Sequence, residues 1–274
     1  MRRQTLSQRP LLLACAAPAA VFFAAFWLLP VVRLVMLPAS KGWETYFAVL
    51  TSGRYLQSLL NTLALSVGVT LATLVLGSAV GIYLARRAFF GRRLLLSLLT
   101  LPLSFPGVIV GFFLILLGGR QGVVADISSW LGFERLTFAY GLTGLFLAYL
   151  YFSLPRAVAT YTAAAESMDA ALEEAARSLG ASRLRVAWDV WVPQLAPTTL
   201  ACGAILFATS MGAFGTAFTL ASKYEVLPIT IYNEFTNYAN FALAASLSIA
   251  LGIMTWAVLF AARHFGGPEA GAAP

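Results

Sequence analysis

Long apolar stretches separated by short charged segments constrain this 274-residue chain more than any other feature. About 20 apolar residues, at 1.5 Å per residue, cross a hydrocarbon core of about 30 Å. Hydrophobic residues make up 60% of the chain and charged residues only 11%, which is too little charge to cover a water-facing surface. The sequence therefore predicts an all-α integral membrane protein with six transmembrane helices, at residues 11–30 (extending to 37), 59–85, 94–117, 138–154, 198–221 and 239–262.

The arginines predict how the spans are oriented, because Lys and Arg are in excess in cytoplasmic loops. If the N-terminus is inside, twelve of the 18 Lys and Arg residues lie on the cytoplasmic side, including all four arginines of the hairpin ARRAFFGRR. We therefore expect both termini to be cytoplasmic, with an N-terminal segment at 1–10, one membrane domain at 11–262 and a flexible tail at 263–274. The first apolar run is longer than that of a signal peptide, so we expect this span to be retained.

Several kinds of chemistry are missing from the sequence. Neither Lys41 nor Lys223 follows a glycine, so there is no phosphate-binding P-loop, and any ATP must be bound by another chain. The only histidine is His264, and Cys15 and Cys202 lie in apolar stretches, so no metal site is expected. No catalytic motif is present, and the central parts of the spans lack Asp, Glu and His. These absences argue against an enzyme and against an ion-coupled carrier or channel. The scattered arginines fit a membrane rather than nucleic acid.

Uncharged polar residues inside the spans have two interpretations that the sequence does not separate. Most such residues form hydrogen bonds between helices, and a minority line a pathway. The candidates for lining a pathway are Asn61, Ser66, Thr209, Ser210 and Thr216.

A charged segment, at residues 162–196, lies between the fourth and fifth spans and contains EEAARSLGASRLRVAWDVWVP. Its composition predicts a helix over 170–179, capped by Ser167 or Asp169 and ended by Gly180 in a left-handed conformation. Ser182 is expected to cap a second short helix that runs to about residue 191. Pro193 and a further proline at 197 are expected to separate this second helix from the fifth span.

The spacing in this segment resembles the signature of bacterial ABC importer permeases, EAA, three residues, G, nine residues, I-x-L-P. Here Glu174-Ala175-Ala176 is followed by three residues and Gly180. Nine further residues separate Gly180 from Val190, and Val190, Val192 and Pro193 occupy the positions of I, L and P in the signature. Further resemblance lies in LLNTLALS at 59–66 and ATSMGAFG at 208–215.

The resemblance implies a type I ABC importer permease fold, with a cytoplasmic coupling helix between the fourth and fifth helices. It implies the bacterial cytoplasmic membrane, two copies of an ABC ATPase that bind ATP and Mg²⁺, a second permease chain, identical or paralogous, and an extracytoplasmic binding protein. This chain would hold no cofactor itself. The overall pattern is similar to permeases for polyamines, ferric iron, sulfate and organophosphonates, and we expect a polyamine-type substrate, with an anion or ferric iron as alternatives. The residues expected to couple to the ATPase are Glu173, Glu174, Ala175, Ala176, Arg177, Gly180, Ala181, Ser182, Arg183 and Pro193.

Overall fold

The computed structural model describes residues 9–221 and 224–265, and these residues form helices and connecting turns without a β-strand. The expected N-terminal segment and tail therefore lie largely outside the described residues. The α-helices are α1 (Arg9–Phe23), α2 (Leu29–Met36), α3 (Ala48–Thr51), α4 (Gly53–Arg86), α5 (Arg92–Thr100), α6 (Gly107–Gly118), α7 (Val123–Trp130), α8 (Leu142–Ser167), α9 (Ala170–Ser178), α10 (Arg183–Val186), α11 (Val192–Met211), α12 (Phe214–Leu220), α13 (Leu227–Tyr232) and α14 (Phe241–Phe265).

Shorter turns of other helical types join some of these helices. The π-helical turns are Ala24–Leu28, Ala187–Trp191 and Asn233–Asn237, and the 3-10 turns are Pro38–Lys41, Trp43–Phe47 and Leu101–Ser104. Six helical segments in the described residues are long and apolar enough to cross a membrane, which confirms the predicted number of spans. They are Ala16–Lys41, Gly53–Arg86, Gly107–Trp130, Leu142–Ser167, Arg183–Met211 and Phe241–Ala262.

The third span differs from its prediction. It was expected at 94–117, but α5 stops at Thr100, a 3-10 turn follows, and the span is Gly107–Trp130. Pro102 and Pro106 cause the break, since proline lacks an N–H and disfavours helical backbone in the residue before it. Phe105 is accordingly extended, with φ −96° and ψ 134°.

The fifth span also differs, because the predicted separation at Pro193 is wrong. The helix runs without a break from Arg183 through both prolines to Met211, and the following α12 is a separate helix. The π turn Ala187–Trp191 precedes the first proline, and the Val192 N–H donates to the Ala187 carbonyl. This wider turn accommodates a residue that has no N–H to donate. The fourth span is longer than expected and ends at Ser167 instead of 154.

Small residues allow α4 and α8 to pack closely in the centre of the bundle. A Cβ atom built on Gly77 would lie 2.5 Å from the Cβ of Ala157, and one on Gly81 would lie 2.6 Å from the Cβ of Tyr161. These distances are too short for a Cβ atom, so only glycine fits at the two positions. Close backbone contact of this kind is a main source of helix association in membranes. Leu195 and Leu206 of α11 belong to the same buried cluster as Tyr161, so α11 completes this core.

The first span lies apart from this core. Every side chain described from 16 to 37 is exposed, and Pro38 is the first buried residue along the chain that follows. A transmembrane helix with this surface faces lipid or another chain.

Candidate functional site

The connection between α8 and α10, residues 168–182, is here called the interhelical loop. Asp169 caps α9 by accepting a hydrogen bond from the Ala171 N–H at 2.9 Å. Gly180 has φ +83°, and the Ala181 N–H returns to the Ala176 carbonyl at 3.1 Å, which closes the helix end. The Ser182 hydroxyl accepts from the Arg185 N–H at 3.3 Å, as expected for the cap of the next helix.

Glu173 makes three side-chain contacts, two of which join α9 to the membrane bundle. Its carboxylate lies 3.2 Å from Arg86 Nη2 at the end of α4 and 2.6 Å from Arg177 Nη2 on α9. It also accepts a hydrogen bond from the indole Nε1 of Trp191 at 3.3 Å. The Arg86 guanidinium lies over the Trp191 ring, 5.6 Å from its centre. The loop is therefore joined by side chains to both the second and the fifth span.

Sequence reasoning missed this cluster in part. Glu173 and Arg177 are among the predicted coupling residues. Arg86 enters the sequence analysis only as one of the hairpin arginines that indicate the orientation of the spans, and Trp191 is given no role of its own. The sequence does contain a signal for this contact. Arg86 is the last residue of a long apolar helix, and it is expected on the same side of the membrane as the acidic residues of the loop.

Exposed apolar side chains lie on the interhelical loop and on the start of α10 that follows it. Leu172 is 51%, Leu179 89% and Leu184 71% exposed, although all three are large and apolar. Of the predicted coupling residues, three are half-buried: Glu173, Ala176 and Ala181. The others are exposed: Glu174, Ala175, Arg177, Gly180, Ser182, Arg183 and Pro193. All of the predicted coupling residues except Pro193 thus lie in the interhelical loop or directly beside it, near exposed apolar side chains.

A cavity of about 370 Å³ lies where α8 faces the break between α11 and α12. None of the described residues that line it is charged, and its polar side chains are those of Tyr149, Ser153, Thr209, Ser210 and Thr216. The helix break is held in place by the Tyr149 hydroxyl, which donates to the Ala213 carbonyl at 2.7 Å. Three of the five predicted pathway residues therefore meet at one cavity, together with Tyr149 and Ser153, which sequence reasoning did not single out.

Asn61 and Ser66 are not among the residues that line this cavity. The Asn61 side chain donates to the Glu225 carbonyl at 3.0 Å, and its own carbonyl accepts from the Tyr224 hydroxyl at 3.3 Å. Burial raises the pKa of the Tyr224 hydroxyl above its usual value. Ser66 is fully buried on α4, and its hydroxyl has no hydrogen-bond partner within the part of the chain that the structure describes. Asn61 thus has a structural role at the α4–α13 connection.

Comparison with known proteins gives consistent results. The family model described as "Binding-protein-dependent transport system inner membrane component" matches residues 77–265, more than half of the chain. The molybdenum transport system permease protein ModB of Escherichia coli (strain K12) is 34% identical over 207 residues, which cover 73% of this chain and 89% of that protein. The sulfate transport system permease protein CysT of the same strain is 30% identical over 258 residues, covering 90% of this chain and 92% of that protein.

A solved structure has the same fold over nearly the whole chain. A chain of a bacterial alginate ABC transporter, crystallised in complex with an alginate pentasaccharide-bound periplasmic protein, superposes with a TM-score of 0.81. The superposition covers 97% of both chains at 21% sequence identity. The resemblance seen in the interhelical loop is thereby confirmed for the fold as a whole. This chain, a multi-pass inner-membrane protein that does not itself hydrolyse ATP, belongs to the family of binding-protein-dependent transport system inner membrane components, as a permease subunit of an ABC importer.

Proposed function

We propose that this chain is a permease subunit of an importer for a tetrahedral oxyanion, molybdate or sulfate. The observation that carries this proposal is the identity of about a third with ModB and CysT, whose names assign them to molybdenum and sulfate transport. The cavity agrees with such a substrate because it offers hydroxyl groups and no carboxylate that would repel an anion.

The expectation of a polyamine-type substrate is abandoned. It depended on resemblance alone, and the relatives at about a third identity carry the names of molybdenum and sulfate systems instead. The chemistry points the same way, since a polycation in transit is stabilised by acidic groups. None of the eleven residues that line the cavity is acidic. Sulfate was among the alternatives considered from the sequence and is retained.

In this proposal the interhelical loop is the docking site for the ATPase subunits. The exposed apolar side chains of Leu172 and Leu179, with Glu174 beside them, form a face that the chain itself leaves uncovered. Apolar anchors with charged neighbours are the usual composition of a protein–protein contact. ATP and Mg²⁺ are bound by the ATPase, of which two copies serve one importer.

The remaining partners follow from the uncovered first span and from the family. A second permease chain, identical or paralogous, covers part of the exposed surface between 16 and 37. An extracytoplasmic binding protein delivers the anion to the face opposite the interhelical loop. Both termini and the interhelical loop are cytoplasmic, in keeping with the excess of arginine on that side.

The test of the proposal is uptake by the complete importer, with its permease partner, ATPase and binding protein, reconstituted in vesicles. We expect ATP-dependent accumulation of radiolabelled molybdate or sulfate, and none of radiolabelled spermidine. Omission of the ATPase is the control and abolishes uptake. ATP-dependent uptake of spermidine without uptake of either oxyanion would refute the assignment.

A further inference from the structure

We propose that the cavity between α8 and the α11–α12 break is a transit site for a tetrahedral oxyanion, in which the Ser210 hydroxyl donates a hydrogen bond to the anion. This inference rests on the proposed function, because it names the place within the membrane where the proposed substrate is bound during passage.

The Ser210 hydroxyl is the first reason. Its side chain is 97% buried, with 3% of its surface exposed, and its Oγ has no hydrogen-bond partner among the described residues. A buried hydroxyl is normally bonded, since desolvation without a partner is unfavourable. Three further buried hydroxyls, on Ser66, Thr70 and Thr73, also lack a partner. Ser210 is the only one of these four residues that lines the cavity, so its unused donor is the one that lies next to a space that a ligand can enter.

The electrostatic setting is the second reason. The cavity is lined by Gly107, the first residue of the twelve-residue helix α6, so the partially positive end of that helix adjoins the cavity. Oxyanions bind favourably at such helix ends. No acidic side chain lines the cavity to oppose this, and no Lys or Arg lines it to hold the anion tightly. A pathway requires binding that is favourable enough for entry and weak enough for release, and neutral donors meet both conditions.

The walls of the cavity are fixed in position. Tyr149 bonds to the carbonyl of Ala213 at 2.7 Å, and the Thr216 hydroxyl donates to the carbonyl of Gly107 at 3.1 Å. These two bonds tie the α11–α12 break to α8 and to α6, so the donors are held before a ligand arrives. Ser153, which is 6% exposed, supplies a second hydroxyl from the α8 side.

The size of the cavity also fits. A volume of about 370 Å³ corresponds to roughly 12 water molecules at the ~30 Å³ that each occupies in the liquid. A single tetrahedral oxyanion therefore enters with part of its hydration shell. Retained water reduces the cost of leaving bulk solvent, as an uncharged site requires.

The experiment compares Ser210→Ala with Thr73→Val in the complete importer. Each substitution removes one buried hydroxyl that has no partner, so neither breaks a bond within the protein and neither should lower the midpoint of thermal unfolding. Thr73 is fully buried and does not line the cavity, which makes it the matched control. The measurements are uptake of radiolabelled molybdate and sulfate, and ATP hydrolysed per anion transported.

We expect Ser210→Ala to slow uptake about tenfold, the loss typical of removing one hydrogen bond to an ionised group. Hydrolysis stimulated by the loaded binding protein should persist, so that the number of ATP molecules hydrolysed per anion rises by the same factor. Thr73→Val should leave both quantities unchanged.

Three results would overturn the transit site. If Ser210→Ala transports at the wild-type rate, or if both variants lose uptake equally, the hydroxyl does not bind the anion. In either case the wild-type importer still transports an oxyanion, and the proposed function stands. If the wild-type importer itself transports neither molybdate nor sulfate, the proposed function fails and the transit site fails with it.

Discussion

Replacing Glu173 with glutamine should release the interhelical loop from the membrane bundle. The side chain is only 13% exposed, and its carboxylate meets two arginines and an indole N–H, on α4, on α9 and in the π turn of the fifth span. Glutamine has the same shape but no charge, so it loses the charge-assisted contacts to Arg86 and Arg177. It can still accept a hydrogen bond from Trp191.

The magnitude follows from the exposure of the partners. Arg177 lies one helical turn from Glu173 on the same helix, α9, so this pair moves with the loop and does not hold the loop to the bundle. Arg86 is 29% exposed, and loss of this ion pair costs about 1 kcal/mol, the upper end of the range for pairs near the surface. This loss of about 1 kcal/mol corresponds to a roughly 5-fold larger population of the released loop.

Hydrogen–deuterium exchange of the amides in 170–182 measures this population directly. In Glu173→Gln these amides should exchange about 5-fold faster than in the wild type, provided that they exchange through release of the loop. Glu174→Gln is the matched control, since Glu174 is adjacent and exposed, and its exchange rates should be those of the wild type. If the two variants exchange equally fast, the Glu173 cluster does not hold the loop and the reasoning is refuted.

Three further predictions concern the docking face, the core and the orientation. Leu179→Asp, at a side chain 89% exposed, should reduce co-purification of the ATPase about tenfold or more without changing the unfolding temperature, and undiminished co-purification would contradict docking at this face. Gly77→Ala, whose Cβ would lie 2.5 Å from the facing helix, should destabilise the protein by about 1–3 kcal/mol, whereas Gly252→Ala, with open space around it, should not; thermal unfolding in detergent compares them. In a variant without the native cysteines, Phe90→Cys should react with an impermeant maleimide only from the cytoplasmic side and Trp130→Cys only from the opposite side, and the reverse pattern would invert the topology.

Features that depend only on residues close together in the sequence were predictable from it. The number of spans follows from hydropathy, and Asp169, Gly180 and Ser182 cap the helices of the interhelical loop as their local chemistry requires. The positions of the helix breaks were not predictable in the same way. Pro102 and Pro106 break the third span, whereas Pro193 is accommodated by a preceding π turn. The outcome at each proline depends on packing that no local window contains.

The cavity could be anticipated only in part, for a similar reason. Thr209, Ser210 and Thr216 were candidates because they are polar residues close together in one apolar stretch. Ser153 and Tyr149 come from another helix, and only the tertiary structure brings them to the same space. Asn61 is likewise a polar residue in an apolar stretch, but its side chain donates a hydrogen bond to the backbone carbonyl of Glu225 instead. Polarity within a span therefore selects candidates, and the packing of the helices decides between pathway and structure.

One continuous helical span, from Arg183 to Met211, connects the Glu173 cluster with the cavity. Its 29 residues extend about 43 Å at 1.5 Å per residue. Trp191, which binds the Glu173 cluster, lies near one end, and Ser210 lies near the other. Trp191 and Ser210 are about 28 Å apart along the helix, so a pivot of about 5° displaces one relative to the other by about 2.5 Å, close to the length of a hydrogen bond. A small angular change imposed on the interhelical loop is therefore large enough to make or break contacts in the cavity.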